Sequence, residues 1–261
     1  MRLMPTIADI YFHLYEGSSL GKKPAVVLIH GAGGTHLYWS AEVRRLPGQA
    51  VYAPDLPGHG KSGRRGQQSI SGYADSIQEW LAALGIHSAV FVGHSMGSAI
   101  ALTLALDHPQ RVIGLVLVGG GAKLKVSPQL IEAVESPSTY LSAVHLVVDW
   151  SFSAAAPQKM RELAEKRMAE TRPSVLFADF KACNEFDVTD RLEEIQKPTL
   201  VLCGAEDKMT PPRYSQYLAE KIADASLVVV PQAGHMVQLE QPRRTLDAIQ
   251  DFLGRIHYLS P

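Results

Sequence analysis

The sequence predicts an α/β fold: a parallel sheet with helices on both faces, broken by one purely helical segment. Three observations carry that expectation. Short apolar runs rich in Val, Ile and Leu alternate with stretches that repeat their apolar residues at helical spacing. Several of these runs stop abruptly in loops of Gly, Pro, His and Asp. Between residues 122 and 197 the strand-like runs cease and only helical patterns remain.

The elements follow in order. Residues 7–15 mix aromatic, apolar and polar side chains and read as an edge hairpin whose loop runs to Lys23. Residues 25–29 are continuously apolar, as a strand covered on both faces must be, and His30-Gly31-Ala32-Gly33-Gly34 ends them. Residues 38–46 read as a helix. Residues 50–53 form a short strand stopped by Pro54-Asp55-Leu56-Pro57-Gly58-His59-Gly60. From 69 to 84 the apolar positions Ile70, Tyr73, Ile77, Trp80, Leu81 and Leu84 keep a helical period, and Gly85 closes the helix. Residues 88–92 are a strand that runs into Gly93-His94-Ser95-Met96-Gly97 and then an Ala- and Leu-rich helix. Residues 112–118 are another buried strand, closed by Gly119-Gly120-Gly121.

Segments 128–135, 138–150, 157–170 and 174–184 are the helices of the interruption. Met160, Leu163, Ala164 and Met168 give one of them a single apolar stripe. Segment 138–150 is apolar around much of its circumference, which implies burial on two sides. Residues 122–197 therefore read as a cap inserted above the sheet, leaving 1–121 and 198–261 as the core domain. Strands at 199–203 and 227–230 and helices at 211–222 and 241–256 complete the chain.

Composition narrows the class. Of 261 residues, 46% are hydrophobic and 20% charged, which supplies a sizeable core. The formal net charge of −1 gives no electrostatic reason to bind nucleic acid or anionic membrane. No stretch approaches the length of a membrane span. Residues 1–10 carry Pro5 and Asp9 and no long apolar run, so no signal peptide is expected and a cytoplasmic protein is the default. The two cysteines, Cys183 and Cys203, form neither a disulfide framework nor a metal-ligand spacing, and no cofactor is expected.

Chemistry concentrates at the ends of the strands. Gly93-x-Ser95-x-Gly97 between a strand and a helix is a nucleophile elbow: the turn is so sharp that the hydroxyl projects free, and the helix begins at the serine. As a bare pattern it recurs by chance in roughly one chain of this length in ten, so its partners decide. A serine hydroxyl needs a base. His235 sits on a loop just past the last strand, at the edge where the elbow lies. His94 adjoins Ser95, but neighbours on a sharp turn point apart, which suits a structural or pocket role. His36 and His59 lie on loops that reach the same edge. The base needs an acid to hold its tautomer. Asp207 follows strand 199–203, with Glu206 as its competitor; the loop after the preceding strand, residues 119–122, holds no carboxylate. An oxyanion would be met by the backbone N–H of Met96 and by one from the glycine-rich loop, Ala32 or, alternatively, Gly33. Gly58-His59-Gly60-Lys61-Ser62-Gly63 matches a dinucleotide fingerprint but neither leaves a strand directly nor opens a helix, so Lys61, Arg64 and Arg65 read as a solvated basic loop.

His30-Gly31-Ala32-Gly33, the 55–62 loop, Gly93-His94-Ser95-Met96-Gly97, Gly204-x-x-Asp207 and Gly234-His235 together resemble the α/β-hydrolase family. The resemblance covers nearly all of the chain outside the cap and lies nearest to small esterases and carbon–carbon bond hydrolases. It implies a mostly parallel eight-stranded sheet, a helical lid and acyl-enzyme chemistry. The expected activity is hydrolysis of a small carboxylic ester by Ser95, Asp207 and His235, with water as second substrate. The rivals are a carbon–carbon hydrolase or lyase with the same residues, and a ligand receptor on the same fold. Gly31, His36, Leu124, Tyr140, Val144, Trp150 and Met236 are the expected substrate pocket, with the side chain of Met96 near its mouth.

Overall fold

The computed structural model describes residues 6–17, 23–63 and 65–257. The loop expected through 18–22, the first five residues and Arg64 lie outside the described residues.

Among the described residues eight strands form one sheet: β1 (Thr6–Ile7), β2 (Ile10–Glu16), β3 (Ala25–Ile29), β4 (Ala50–Pro54), β5 (Ala89–His94), β6 (Val112–Val118), β7 (Thr199–Gly204) and β8 (Ala225–Val230). Their order is β1-β2-β4-β3-β5-β6-β7-β8. β1–β2 and β2–β4 pair antiparallel; every pairing from β4 to β8 is parallel. The expected edge hairpin exists, but its turn falls inside the segment. Ala8 and Asp9 both take positive φ, 50° and 60°, and turn the chain between β1 and β2.

The helices are α1 (Ala41–Arg44), α2 (Ile70–Ala83), α3 (Met96–Asp107), α4 (Pro128–Glu135), α5 (Tyr140–Ser151), α6 (Gln158–Ala169), α7 (Pro173–Glu185), α8 (Pro212–Lys221), α9 (Val237–Glu240) and α10 (Pro242–His257). The helix expected over 38–46 is shorter. A 3₁₀ turn at His36–Tyr38 precedes it, and the Ser40 hydroxyl caps α1 by accepting from the Val43 N–H.

Alternate residues of each strand point to opposite faces and build two cores. Val27, Ile29, Phe91, Leu115, Leu117 and Val201 meet Ile77 and Trp80 of α2, α3 and Leu218 of α8. Val26, Leu28, Val90, Val92, Val116 and Leu200 meet Val43 of α1 and Ile249, Phe252 and Ile256 of α10. α3 is apolar all round because it is enclosed on all sides, from Met96 to Ala105. A third apolar cluster joins α4 to α7 with Tyr38 and Met236, residues that follow the glycine-rich loop and the last strand. The helical segment thus packs on the loops at the carboxyl edge of the sheet.

The topology locates the site. From β3 the chain moves outward to β4; from β5 it moves the other way, to β6. The loops leaving β3 and β5 diverge there, and a crevice opens at the carboxyl ends of the strands.

Candidate active site

Ser95 stands in that crevice, between β5 and α3. Its φ of 53° and ψ of −116° are rare for a residue with a side chain, a strain of about 1–3 kcal/mol that surrounding structure must hold. The glycines beside it are obligatory. A Cβ on Gly93 would collide with the Gly97 carbonyl, and one on Gly97 with the Ile29 carbonyl. The Ser95 N–H donates to the Val118 carbonyl at 2.9 Å, fixing the elbow to the neighbouring strand. The Met96 N–H opens α3 and has no intrahelical acceptor.

His235 reaches the same cavity from the loop after β8. Its Nδ1 lies 2.9 Å from Asp207 Oδ2. Glu206 is exposed and its carboxylate instead accepts from the Ala154 N–H, so Asp207 is the acid that meets the imidazole. Asp207 is held by two backbone N–H donors, Met209 at 2.9 Å and Thr210 at 2.8 Å, and by the Thr210 hydroxyl at 2.8 Å. Burial pushes the carboxyl up, but His235 and these donors outweigh it and keep Asp207 below the usual carboxylate range. No hydrogen bond joins Ser95 Oγ to His235 among the described residues, a looseness common in unliganded sites.

The glycine-rich loop supplies the opposite wall. Gly31 and Ala32 line the cavity. The Gly33 N–H is taken by Asp179 Oδ2 at 2.9 Å, whereas the Ala32 N–H has no partner among the described residues. Among the described residues no cluster of His, Cys, Asp or Glu is arranged to hold a metal ion.

A family model described as alpha/beta hydrolase fold matches residues 24–242. This chain belongs to the α/β-hydrolase family. The hydrolase is 32% identical to the 2-hydroxymuconate semialdehyde hydrolase of Pseudomonas putida, over 90% of this chain and 88% of that one. It is 29% identical to the pimeloyl-[acyl-carrier protein] methyl ester esterase of Aromatoleum aromaticum, over 88% and 98%. Among solved structures it is similar to a thermophilic esterase, with 33% identity, a TM-score of 0.80 and coverage of 95% and 94%.

Of the expected pocket residues in this hydrolase, Gly31, Leu124 and Met236 line the cavity with Ser95 and His235. Four others do not. His36 is buried against Asp55, with Nδ1 2.8 Å from Oδ1, and stacks on His13. Tyr140 sends its hydroxyl away, to the Thr171 carbonyl at 2.5 Å. Val144 is packed among the helices, and Trp150 is 39% exposed on the outer surface. For the three on α5 the cause is helix rotation. α5 is apolar on several sides, and the face it turns to the cavity carries Val147 and Ser151, one turn apart. Trp150 precedes Ser151 and so points about 100° away. The Met96 side chain is also absent from the mouth, being sunk in the core. His59 does not reach the cavity; its Nε2 lies 2.8 Å from Asp179 Oδ2.

The sequence reading missed Thr210, Glu240 and Asp179 around the site, and gave His94 only a structural or pocket role without its partner. Thr210 braces Asp207. His94 donates from Nε2 to the His235 carbonyl at 3.0 Å; burial, reinforced by His235, lowers it to about 3, so it stays neutral. Glu240 accepts from the N–H groups of Gly234 at 2.8 Å and Ser153 at 2.9 Å, tying the His235 loop to the end of α5. Asp179 holds Gly33. Its signal was present: it shares an apolar stripe with Leu176, Phe180 and Cys183, where a carboxylate needs buried partners.

Proposed function

We propose that this hydrolase is a serine carboxylesterase that cleaves small to medium carboxylic esters through an acyl-enzyme. The observation that carries the reading is Ser95 in strained backbone, facing a cavity shared with a histidine whose Nδ1 is bound by a buried aspartate. Ser95 Oγ attacks the ester carbonyl as His235 takes its proton. Asp207 accepts from Nδ1–H and stabilises the imidazolium. The N–H groups of Ala32 and Met96 receive the oxyanion. His235 returns the proton to the leaving alcohol, then activates water, and the acid is released. Segment 122–197 acts as the cap over this cavity, whose apolar lining of Leu124, Val147, Phe180 and Met236 suits an acyl chain. Esterases and a carbon–carbon hydrolase among the similar proteins agree with acyl chemistry at Ser95.

Ser95→Ala should lower kcat on p-nitrophenyl acetate by on the order of 10⁶ with an unchanged circular dichroism spectrum. A fluorophosphonate should phosphonylate Ser95 with loss of fluoride, adding its mass less that of HF. Retention of more than a few per cent of the rate would remove Ser95 from the mechanism. Turnover of a vinylogous diketone, with aryl esters inert, would move the reading to carbon–carbon cleavage.

A further inference from the structure

We propose that Asp179 is a positioning residue for the oxyanion pocket: a buried carboxylate of the helical segment that holds the glycine-rich loop so that the Ala32 N–H faces Ser95. The proposal rests on the serine-hydrolase reading above. Asp179 projects from α7 into the core and is fully enclosed. Oδ2 accepts the Gly33 N–H at 2.9 Å and faces His59 Nε2 at 2.8 Å; Oδ1 accepts the Tyr73 hydroxyl at 2.5 Å. The same residue is gripped through its next peptide as well, for the Thr171 hydroxyl donates to the Gly33 carbonyl at 3.0 Å. Both clamps come from the helical segment. Gly33 has φ of +63°, and a Cβ there would lie 2.9 Å from the Leu176 side chain, so the peptide is pressed between sheet and helix.

His59 explains how a carboxylate can stand so near an oxyanion. Its Nδ1 lies 3.1 Å from the Pro57 carbonyl and its Nε2 faces Asp179. Both neighbours are acceptors, so both ring nitrogens carry protons and the imidazole is a cation. Burial works against that charge, but Asp179 outweighs it and the histidine is held above its ordinary value. The pair has no net charge. Asp179 thus offers Gly33 a strong acceptor without setting an unbalanced negative charge against the oxyanion.

The test compares Asp179→Asn, Asp179→Ala and Tyr73→Phe, the last removing a bond to the same carboxylate that does not involve the loop. Thermal melting, kcat and KM on p-nitrophenyl acetate, and the rate of fluorophosphonate labelling are measured on each. Loss of an oxyanion donor lowers rate by about 10²–10³. Asp179→Ala should approach that loss, and Asp179→Asn should lose about tenfold, both in kcat and labelling rate, with KM within about threefold. Tyr73→Phe should lower the melting temperature and leave kcat within about twofold. A folded Asp179→Asn with wild-type kcat and labelling would overturn the proposal, as would Tyr73→Phe losing kcat to the same extent. Amide exchange at residues 31–34, read by mass spectrometry, needs no turnover and should be faster in Asp179→Asn; unchanged exchange overturns the clamp. A wild-type chain that neither turns over esters nor labels at Ser95 instead sinks the hydrolase reading, and the exchange result still decides the clamp.

Discussion

Two of the buried histidine–carboxylate pairs in this hydrolase, His235–Asp207 and His59–Asp179, are joined at nearly the same distance. His235 meets Asp207 at 2.9 Å; His59 meets Asp179 at 2.8 Å. They differ in what the second ring nitrogen finds. His59 presents Nδ1 to the Pro57 carbonyl, so both nitrogens are donors to fixed acceptors. His235 uses Nδ1 on Asp207 and has no protein partner for Nε2 among the described residues, while its ring lines the cavity with Ser95. A pair closed at both ends is a buried ionic strut. A pair left open at one end can move a proton. The distance alone does not distinguish them; the accounting of ring nitrogens does.

The largest expected effect tests that distinction directly. Asp207→Asn should favour the wrong tautomer of His235 and lower kcat by roughly 10⁴. Asp179→Asn, the same atomic change in the other pair, should lose only about tenfold. Parallel single-turnover measurements on an aryl ester read both. Equal losses would mean that the two pairs are not functionally different.

The open pair was legible in the sequence and the closed one was not. Ser95, Asp207 and His235 each follow an apolar strand, and a parallel sheet brings the carboxyl ends of its strands to one edge whatever else the chain does. Asp207 prevailed over Glu206 because the turn after β7 points it inward and gives its carboxylate the N–H groups of Met209 and Thr210. Asp179 sits in mid-helix, and its partners lie 106 to 146 residues away. No local pattern names them. The rotation of α5 was hidden for a related reason. When most faces of a helix are apolar, the periodicity that would select an inner face is weak, and Val147 rather than Trp150 reaches the cavity. The turn at Ala8–Asp9 was missed because neither residue is a glycine, although both take positive φ.

Two further histidines give the next effect. His30 accepts the Leu56 N–H at Nε2, so its Nδ1 carries the proton and faces the Gly31 carbonyl at 2.8 Å. Burial, with His59 adding to it, lowers His30 to about 4; His94 lies at about 3. The unfolded chain binds a proton at each near 6.5, and the folded chain does not. Stability should therefore fall as pH drops from 6.5 towards 4, by about 1.4 kcal/mol per pH unit for each histidine once the unfolded side chain is charged. His59 runs the other way. Its raised value contributes stability that is full below 6.5 and fades as pH climbs through that value. Urea titrations at pH 7, 6 and 5 measure the slope, and His94→Gln should remove about one proton from it. Stability that is flat across this range would show that His30 and His94 are not neutral when folded.

The smallest effect concerns the inner face of α5. Val147 lines the cavity beside Ser151, whereas Trp150 meets solvent. Each methylene that an acyl chain buries contributes about 0.8 kcal/mol, close to fourfold in kcat/KM. For a series of p-nitrophenyl esters, kcat/KM should therefore climb over the first few carbons and fall once the chain must clash or remain in water. Val147→Phe fills part of that space and should move the optimum to a shorter chain by one or two carbons, roughly 4- to 15-fold at the wild-type optimum. Trp150→Ala removes a larger side chain and should leave the profile superimposable on that of the wild type, because Trp150 is not part of the cavity lining. The two variants lie three residues apart on one helix, so a general loosening of the helical segment would act on both alike. An optimum that shifts with Trp150→Ala and not with Val147→Phe would reverse the orientation of α5 and return the tryptophan to the pocket.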